Sequence, residues 1–435
     1  MISPHFPPDS TAATHRVRLL APHLPAFGWK PTVLTVDPRD YEGSIDDELA
    51  TLVPADLDVV RCRAWPVRLT RRVGIGDLGL RSFRGLRDNA FKRMQGDRYD
   101  AVFITIFPSY TALLGPMLKR RFGVPFVLDY QDPWVGSWGR DVGGGADGKP
   151  DRKSRWSRRL AEFLEPRVLS AADGVTAVST ATYEDALRRV RPRHAPARET
   201  LPIGWDPLDM QAAGTRPNPF FDPHDGRIHV CSVGTFLPHG ESVLASFFDA
   251  VALLAAREPA LYRKIALWFV GTSNQTSGEA PPRVVPLAAR AGVDAVVREH
   301  PIRVSYLNAL RTLRDASVVL LAGSTEPHYT ASKLYPALIA GRPILAMYHE
   351  RSSVVAILRA VAHPPSVQVL PFTDDGPRVD DTYAALSALL RRPLIESDVI
   401  DFRAAEPYSA RAVASQLAGL LDHLVVDSPA LRQVV

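Results

Sequence analysis

Short, continuous apolar runs alternate with helical segments along most of this chain of 435 residues. In the first half such runs include Pro31–Val36, Tyr99–Ile106 and Pro125–Asp129, and the pattern restarts at His229. Continuous apolar strands separated by helices indicate parallel sheets covered on both faces. A chain of this length also exceeds what one compact core usually holds. We therefore predict an α/β protein with two doubly wound, Rossmann-like domains that face a central cleft.

The domain boundaries follow from a lapse in this alternation. Prolines crowd the stretch 202–227, which is typical of a linker. We predict a first domain over residues 1–204, a hinge over 205–227, a second domain over 228–408, and a C-terminal segment over 409–435 whose helix packs back on the first domain. Met1-Ile2-Ser3 resembles the end of a strand, so we also expect the natural protein to begin a few residues upstream.

Composition excludes some classes of protein. The formal net charge of +5 is compatible with anionic ligands or an anionic membrane surface. The two cysteines, Cys62 and Cys231, lie in different predicted strands and are interpreted as buried thiols in a reducing compartment. With no apolar run of about 20 residues and no signal peptide, we expect a cytoplasmic protein. The sequence has no zinc-ligand spacing, no Walker loop and no Gly-x-Ser-x-Gly motif.

The segment 326–346 carries the strongest functional signal. It follows the apolar run Ser317–Gly323 as a polar loop, and a helix is predicted to begin near Ser332. The first N–H groups of a helix have no partner inside the helix, and the helix dipole favours an anion there. Thr330, Ser332 and Lys333 would add hydroxyls and a cation, which favours a diphosphate-bearing ligand. The alternative is an ordinary helix cap beside a solvated lysine.

Several segments together resemble one family of enzymes. They are Pro4–Asp9 with His15 and Arg16, Leu128–Trp134, Ala171–Ser179, Leu201–Asp206, Phe269–Gly271 and Ser332–Pro343. In order and spacing they resemble the GT-B glycosyltransferases, above all the family 4-like bacterial enzymes. The resemblance implies transfer of a hexosyl group from a nucleotide sugar to a glycan or lipid-linked acceptor, with retention of configuration and without a metal or other cofactor. It implies a role in cell-surface polysaccharide or glycolipid assembly.

The sequence also departs from the family pattern on the donor side. Family members carry two glutamates where this chain has His328 and Pro336, and the nearby Glu326 is shifted by two residues. The loop 234–241 lacks the basic pair that usually binds the pyrophosphate. We consider Glu326 as a partner of a ribose or sugar hydroxyl, and Arg303 as a replacement pyrophosphate cation. The alternative for each is a solvated charge in a loop.

Three residues are acceptor-side candidates. Asp132 is predicted at the end of a central strand, where its carboxylate could bind an acceptor hydroxyl, and Trp134 would offer an aromatic face. His5 lies in a loop directed at the same cleft. The alternatives are a capping aspartate, a packing tryptophan and a structural histidine.

A basic amphipathic helix, Arg155–Ala172, contains Trp156 and indicates either peripheral contact with the inner face of an anionic membrane or a solvated face. Nothing indicates nucleic-acid binding. Three rival functions stay open. They are a non-catalytic member of the fold that binds a partner or membrane, a nucleotide-sugar 2-epimerase, and a periplasmic-type sugar-binding protein, which the absent signal peptide disfavours.

Overall fold

The computed structural model describes residues 1–135, 152–190, 195–236, 238–273, 275, 278–326, 331–392 and 399–426. The chain forms two compact units. The first comprises Met1–Gly204 and the helix Ala410–Val426, and the second comprises Trp205–Ser409. The predicted hinge 205–227 falls within the second unit, where it contains the helix Pro207–Ala213.

The first unit is built on parallel strands. They are β1 Thr32–Val36, β2 Asp58–Cys62, β3 Val102–Thr105, β4 Phe126–Tyr130, β5 Gly174–Ala177 and β6 Ala197–Thr200. Strands β1 and β2 pair with each other, and β3, β4, β5 and β6 pair in that order. Ile2 bridges Leu34 of β1 and Ile104 of β3, so the first residues join the two groups into one sheet. The short edge strand β6 was not predicted.

Both faces of this sheet are covered, as continuous apolar strands require. Neighbouring residues of one strand enter different cores: Val127 packs in one and Leu128 in the other. The core around Val127 is closed by the helix Ala410–Val426, which contributes Val413, Leu417 and Leu421. The last described helix therefore completes the core of the first unit.

The remaining helices of the first unit are Thr14–Leu20, Asp47–Ala50, Val67–Thr70, Leu78–Gly96, Leu114–Phe122, Arg152–Leu169 and Thr180–Arg188. The long helix Leu78–Gly96 lies in a stretch of sequence with little apolar periodicity. Asp77 caps this helix by accepting a hydrogen bond from the Leu80 N–H at 2.8 Å. Its apolar periodicity is weak because Arg81 and Ser82 are buried beside Leu86.

The second unit contains a six-stranded parallel sheet in the order β12-β11-β10-β7-β8-β9. The strands are β7 Ile228–Val233, β8 Ile265–Val270, β9 Val297–His300, β10 Val318–Ala322, β11 Ile344–His349 and β12 Val367–Phe372. The helices are Pro207–Ala213, Glu241–Arg257, Pro259–Tyr262, Val285–Arg290, Tyr306–Arg314, Leu334–Ala340, Ser353–Val361, Val379–Leu390 and Phe402–Ala405. Strand order reverses between β7 and β10, and in such sheets ligands bind outside the carboxyl ends of the strands at this point.

Each unit is thus a parallel α/β domain of the predicted fold class. Among the described helices, none is both long enough and apolar enough to cross a membrane.

Candidate functional site

Lys333 lies at the point of the second unit where strand order reverses. Its Nζ donates to the carbonyl oxygen of Ala322, the last residue of β10, at 3.1 Å. A Cβ added to Gly234, which directly follows β7, would lie 3.9 Å from the Lys333 Cδ. The lysine side chain therefore spans the carboxyl ends of both central strands, β7 and β10.

The ammonium group of Lys333 is poorly solvated. Burial lowers the pKa of Lys333 from its ordinary value of 10.5 to about 8. Within the part of the chain that the structure describes, no carboxylate pairs with this group. An unpaired desolvated cation is energetically costly, and a bound anion would relieve that cost. Lowered lysine pKa values are common at functional sites for this reason.

Small residues keep this edge of the sheet open. Glycines follow directly after β7, β8 and β10 at Gly234, Gly271 and Gly323. Gly234 has φ of +116°, which side-chain-bearing residues rarely adopt. A Cβ on Gly323 would come within 2.5 Å of the Tyr348 ring. A glycine after each of three strands is a visible signal in the sequence, but no shared role was predicted for Gly234, Gly271 and Gly323.

The helix after β10 begins later than predicted. It spans Leu334–Ala340, with Lys333 at the N-cap position and no side-chain capping bond. Turn-type bonds precede it, from the Leu334 N–H to the Ala331 carbonyl at 3.1 Å and from the Tyr335 N–H to the Ser332 carbonyl at 3.3 Å. The helix predicted to begin near Ser332 therefore begins two residues later, because the preceding turn is tighter than an α-helix. Ser332 itself is exposed.

The other donor-side candidates are not all grouped with Lys333. Glu326 follows β10 in the same loop, and its N–H donates to Ser324 Oγ at 3.3 Å. Arg303 follows the edge strand β9, where its N–H donates to the Gln275 carbonyl at 2.9 Å. Since β7 and β8 separate β9 from β10, and neighbouring strands are about 4.8 Å apart, the loop after β9 and the loop after β10 start roughly 14 Å apart. Thr330 and His328 lie outside the described residues.

The first unit contains a cavity of about 440 Å³ at the carboxyl edge of its sheet. Its walls come from the loop after Ile2, the loop after β1, the start of the helix Leu78–Gly96 and the loop after β3. The lining residues are His5, Asp9, Thr11, Tyr41, Glu42, Gly43, Asp77, Leu78, Arg81, Phe107, Pro108 and Ser109. Carboxylates, aromatic rings and a guanidinium thus surround one space.

His5 is oriented within this cavity from three sides. Its Nδ1 bonds to the buried carboxylate of Asp9, which fixes the ring and makes Nε2 the available base. The ring also stacks on Tyr41 at 6.2 Å and lies 5.7 Å from Phe107, measured between centroids. Burial raises the pKa of the Asp77 carboxyl, while His5 opposes that rise.

Arg81 makes the opposite wall rigid. Its guanidinium donates to Glu42 Oε1 at 2.7 Å, to the Asp40 carbonyl at 2.9 Å and to the Trp65 carbonyl at 2.9 Å. Sequence reasoning missed Arg81, Glu42 and Asp77, because they belong to no motif and the fold alone brings them together.

Asp132 and Trp134 do not join His5 in the lining of this cavity. They follow β4, the strand beside β3, where Asp132 is exposed. Trp134 packs edge-to-face on Tyr110, with centroids 6.0 Å apart, and contacts the core. The packing interpretation of Trp134 therefore describes its contacts well.

Comparisons with known proteins agree on one class of protein. Residues 11–202 match the family model described as the Glycosyl transferase 4-like domain. Among curated proteins, no relative matches the chain.

Solved structures match at low sequence identity. HepE of Anabaena, solved in complex with UDP and glucose, is 14% identical with a TM-score of 0.58, over 96% of this chain and 98% of its own. The N-terminal domain of trehalose-6-phosphate phosphatase from Candida albicans is 13% identical with a TM-score of 0.62, over 97% and 96%. The UDP-forming trehalose-phosphate synthase of Burkholderia xenovorans is 13% identical with a TM-score of 0.51, over 81% and 80%. Residues 11–202 of the first unit thus match a glycosyl transferase 4-like domain, and the chain shares the GT-B fold of these solved structures.

Proposed function

We propose that this protein transfers a hexosyl group from a UDP-sugar to a glycan or lipid-linked acceptor. The observation that carries the proposal is the desolvated ammonium of Lys333 between the ends of β7 and β10. UDP is the favoured nucleotide because HepE was solved with UDP and the Burkholderia enzyme is UDP-forming. The nucleotide sugar is a co-substrate, and the proposal needs no metal or other cofactor.

The main catalytic task of this site would be to stabilise the departing diphosphate. As the bond from the sugar C1 to the diphosphate breaks, negative charge develops on the diphosphate oxygens. A positioned cation in a poorly solvated site stabilises that charge more than water does. The acceptor oxygen forms the new bond to C1, and the products are a glycoside, UDP and a proton. Retention of configuration is part of the proposal.

The remaining candidates take supporting roles. Glu326, in the loop that leads to Lys333, would accept a hydrogen bond from a ribose or sugar hydroxyl. Ser332 and Thr330 would add hydroxyl donors to the diphosphate, and Arg303 would act from the β9 side of the sheet. Asp132 would bind the acceptor from the end of β4.

The cavity around His5 is the proposed acceptor site. Asp9, Glu42 and Asp77 supply hydrogen-bond acceptors for hydroxyl groups, and Tyr41 and Phe107 supply aromatic surface. His5, held by Asp9, has its Nε2 available to receive a hydroxyl proton.

The proposal includes a cytoplasmic location, peripheral at the inner face of the membrane, and a role in polysaccharide or glycolipid assembly. The helix Arg152–Leu169 supports membrane contact, because Trp156, Leu160 and Phe163 are exposed on it at helical spacing. The Arg167 guanidinium lies 3.4 Å from the centroid of the Phe163 ring, so cationic and apolar groups share this surface.

Calorimetric titration of UDP and UDP-sugars into wild type and Lys333→Ala tests the donor site. We expect wild type to bind and Lys333→Ala to lose about tenfold or more in affinity, since a charged partner of a phosphate is removed. The matched control is Lys264→Ala, an exposed lysine of the same unit that lies just before β8. Equal affinities of wild type and Lys333→Ala would remove Lys333 from the donor site.

A further inference from the structure

The segment Trp65–Ile75, which is hydrogen-bonded to Arg81 of the His5 cavity, exposes several large apolar side chains. Trp65 and Leu69 are each 58% exposed and Val73 is 74% exposed, and Ile75 also faces solvent. Large apolar patches on a protein surface usually mark an interaction site. Trp65, Leu69 and Val73 are thus exposed within a stretch of nine residues.

This exposure is held by an ordered backbone. The Pro66 carbonyl accepts hydrogen bonds from the Leu69 and Thr70 N–H groups at 3.0 and 3.2 Å. The Ile75 N–H donates to the Thr70 carbonyl at 2.9 Å, and Thr70 itself is buried. The exposed side chains of Leu69 and Val73 therefore lie on the hydrogen-bonded helical turns Val67–Thr70 and Arg71–Val73.

All charged residues of the segment Trp65–Ile75 are positive. It contains Arg68, Arg71 and Arg72 and no acidic residue. Apolar side chains interleaved with arginines match the interface of an anionic bilayer, where the rings enter the headgroup layer and the guanidinium groups contact lipid phosphates. A tryptophan is favoured at that depth because its ring is apolar and its N–H is polar.

The same segment is bonded to the wall of the cavity. Arg81, which lines the cavity, donates to the Trp65 carbonyl at 2.9 Å, and the Trp65 N–H donates to the Arg81 carbonyl at 3.0 Å. Glu42, also in the lining, pairs with both Arg71 and Arg81. Whatever the segment binds is therefore held close to the cavity.

We propose that Trp65–Ile75 docks the protein on an anionic lipid surface, and that the acceptor entering the neighbouring cavity is lipid-linked. The first part depends only on the surface described above. The second part rests on the proposed function, because it takes the cavity to be the acceptor site. A lipid-linked acceptor would keep its tail in the bilayer while its polar head enters the cavity beside His5.

Co-sedimentation with vesicles tests the docking surface. The probes are vesicles of phosphatidylcholine alone and of phosphatidylcholine with phosphatidylglycerol. We expect wild type to sediment with the anionic vesicles, and Trp65→Ser/Leu69→Ser to lose about tenfold or more in partitioning, since two exposed apolar side chains that would enter the bilayer are removed. Arg68→Gln/Arg72→Gln should lose the preference for anionic lipid.

The chain offers a matched control in Leu208, which is 58% exposed, as Leu69 is, but belongs to the second unit. Leu208→Ser should partition like wild type. If Leu208→Ser and Trp65→Ser/Leu69→Ser partition equally, or if only Trp156→Ser reduces binding, the proposal is overturned. It is also overturned if wild type ignores both vesicles and forms an oligomer that Trp65→Ser/Leu69→Ser dissociates, because the surface would then bind protein.

UDP titration separates this proposal from the proposed function. Trp65→Ser/Leu69→Ser should bind UDP as wild type does, because the substitutions lie in the first unit and Lys333 lies in the second. Vesicle binding without UDP binding would contradict the donor site alone. UDP binding without vesicle binding would contradict the docking surface alone.

Discussion

The Arg16 Nε lies 2.9 Å from the Asp129 Oδ2, and neither side chain is exposed. Arg16 extends from the helix Thr14–Leu20 into the sheet, where it also donates to the carbonyl oxygens of Leu201 and Pro202 at 2.8 Å each. Thr176 of β5 donates to the other oxygen of Asp129 at 2.8 Å. This ion pair and its neighbouring hydrogen bonds therefore connect a helix, two strands and the residues that follow β6.

Breaking this pair should destabilise the first unit. Arg16→Met leaves a buried carboxylate without its cation, and we expect a loss of about 3–5 kcal/mol in the free energy of unfolding. Replacing both partners, as Arg16→Met/Asp129→Leu, should recover part of that loss because no unpaired charge is left buried. Urea unfolding followed by circular dichroism measures both. The exposed-pair control Arg188→Met should keep the wild-type midpoint, and an unchanged midpoint in Arg16→Met would show that the ion pair is dispensable.

UDP binding should weaken above about pH 8. The pKa of Lys333 is lowered to about 8, so its ammonium loses its proton there while an exposed lysine keeps its charge. We expect the affinity to fall up to about tenfold per pH unit above that value. In Lys333→Arg the fall should disappear, because a guanidinium stays protonated. Calorimetry from about pH 7 to about pH 9.5 checks this, and an equal fall in both proteins would assign it to another group.

Lys333 should also destabilise the second unit. Its folded pKa is about 8 and its unfolded pKa is near 10.5. The folded state therefore bears the full cost of the desolvated charge below pH 8, and this cost is relieved as the pH rises from 8 to 10.5. Lys333→Met should stabilise the second unit by on the order of 2 kcal/mol near neutral pH, which is less than the full shift implies because the residue is half-buried. Thermal unfolding checks this against Lys264→Met, and a lower melting temperature in Lys333→Met would contradict it.

His5 should affect the acceptor and not the donor. His5→Ala removes the base held by Asp9, and we expect kcat/KM for the acceptor to fall about tenfold or more. The affinity for UDP should stay constant, since the donor candidates lie in the second unit. His224→Ala, at an exposed position, is the control. Weaker UDP binding in His5→Ala would argue against a separate acceptor cavity.

Two glycines should respond in opposite ways to alanine. Gly323→Ala would place a Cβ 2.5 Å from the Tyr348 ring and 3.0 Å from the Met347 carbonyl oxygen, so we expect a loss of about 1–3 kcal/mol in stability. Gly419→Ala lies in a helix with nothing within 4 Å, so it should be neutral or stabilising by up to about 1 kcal/mol. Urea unfolding of both variants decides, and equal midpoints would contradict the close approach at Gly323.

Local patterns predicted much of the fold and only part of the site. Runs such as Ile265–Val270 are apolar throughout because both faces of the strand are buried, so the parallel sheets were foreseeable. The helix Leu78–Gly96 was not, because Arg81 is buried through its hydrogen bonds and breaks the apolar stripe. Lys333 could be predicted as a site residue, because it lies in a polar loop between an apolar strand and a helix. Glu42 and Asp77 could not be predicted as site residues, because only the order of the strands brings their loops to one cavity.

The path of the chain has a consequence during synthesis on the ribosome. The core around Val127 is closed by the helix Ala410–Val426, yet those residues are translated after the whole of the second unit. Until they emerge, the core around Val127 lacks the side chains of Val413, Leu417 and Leu421, while the second unit already has all of its own strands. We therefore expect the nascent first unit to depend on chaperones for longest, and the later unit to be the first to reach its native state.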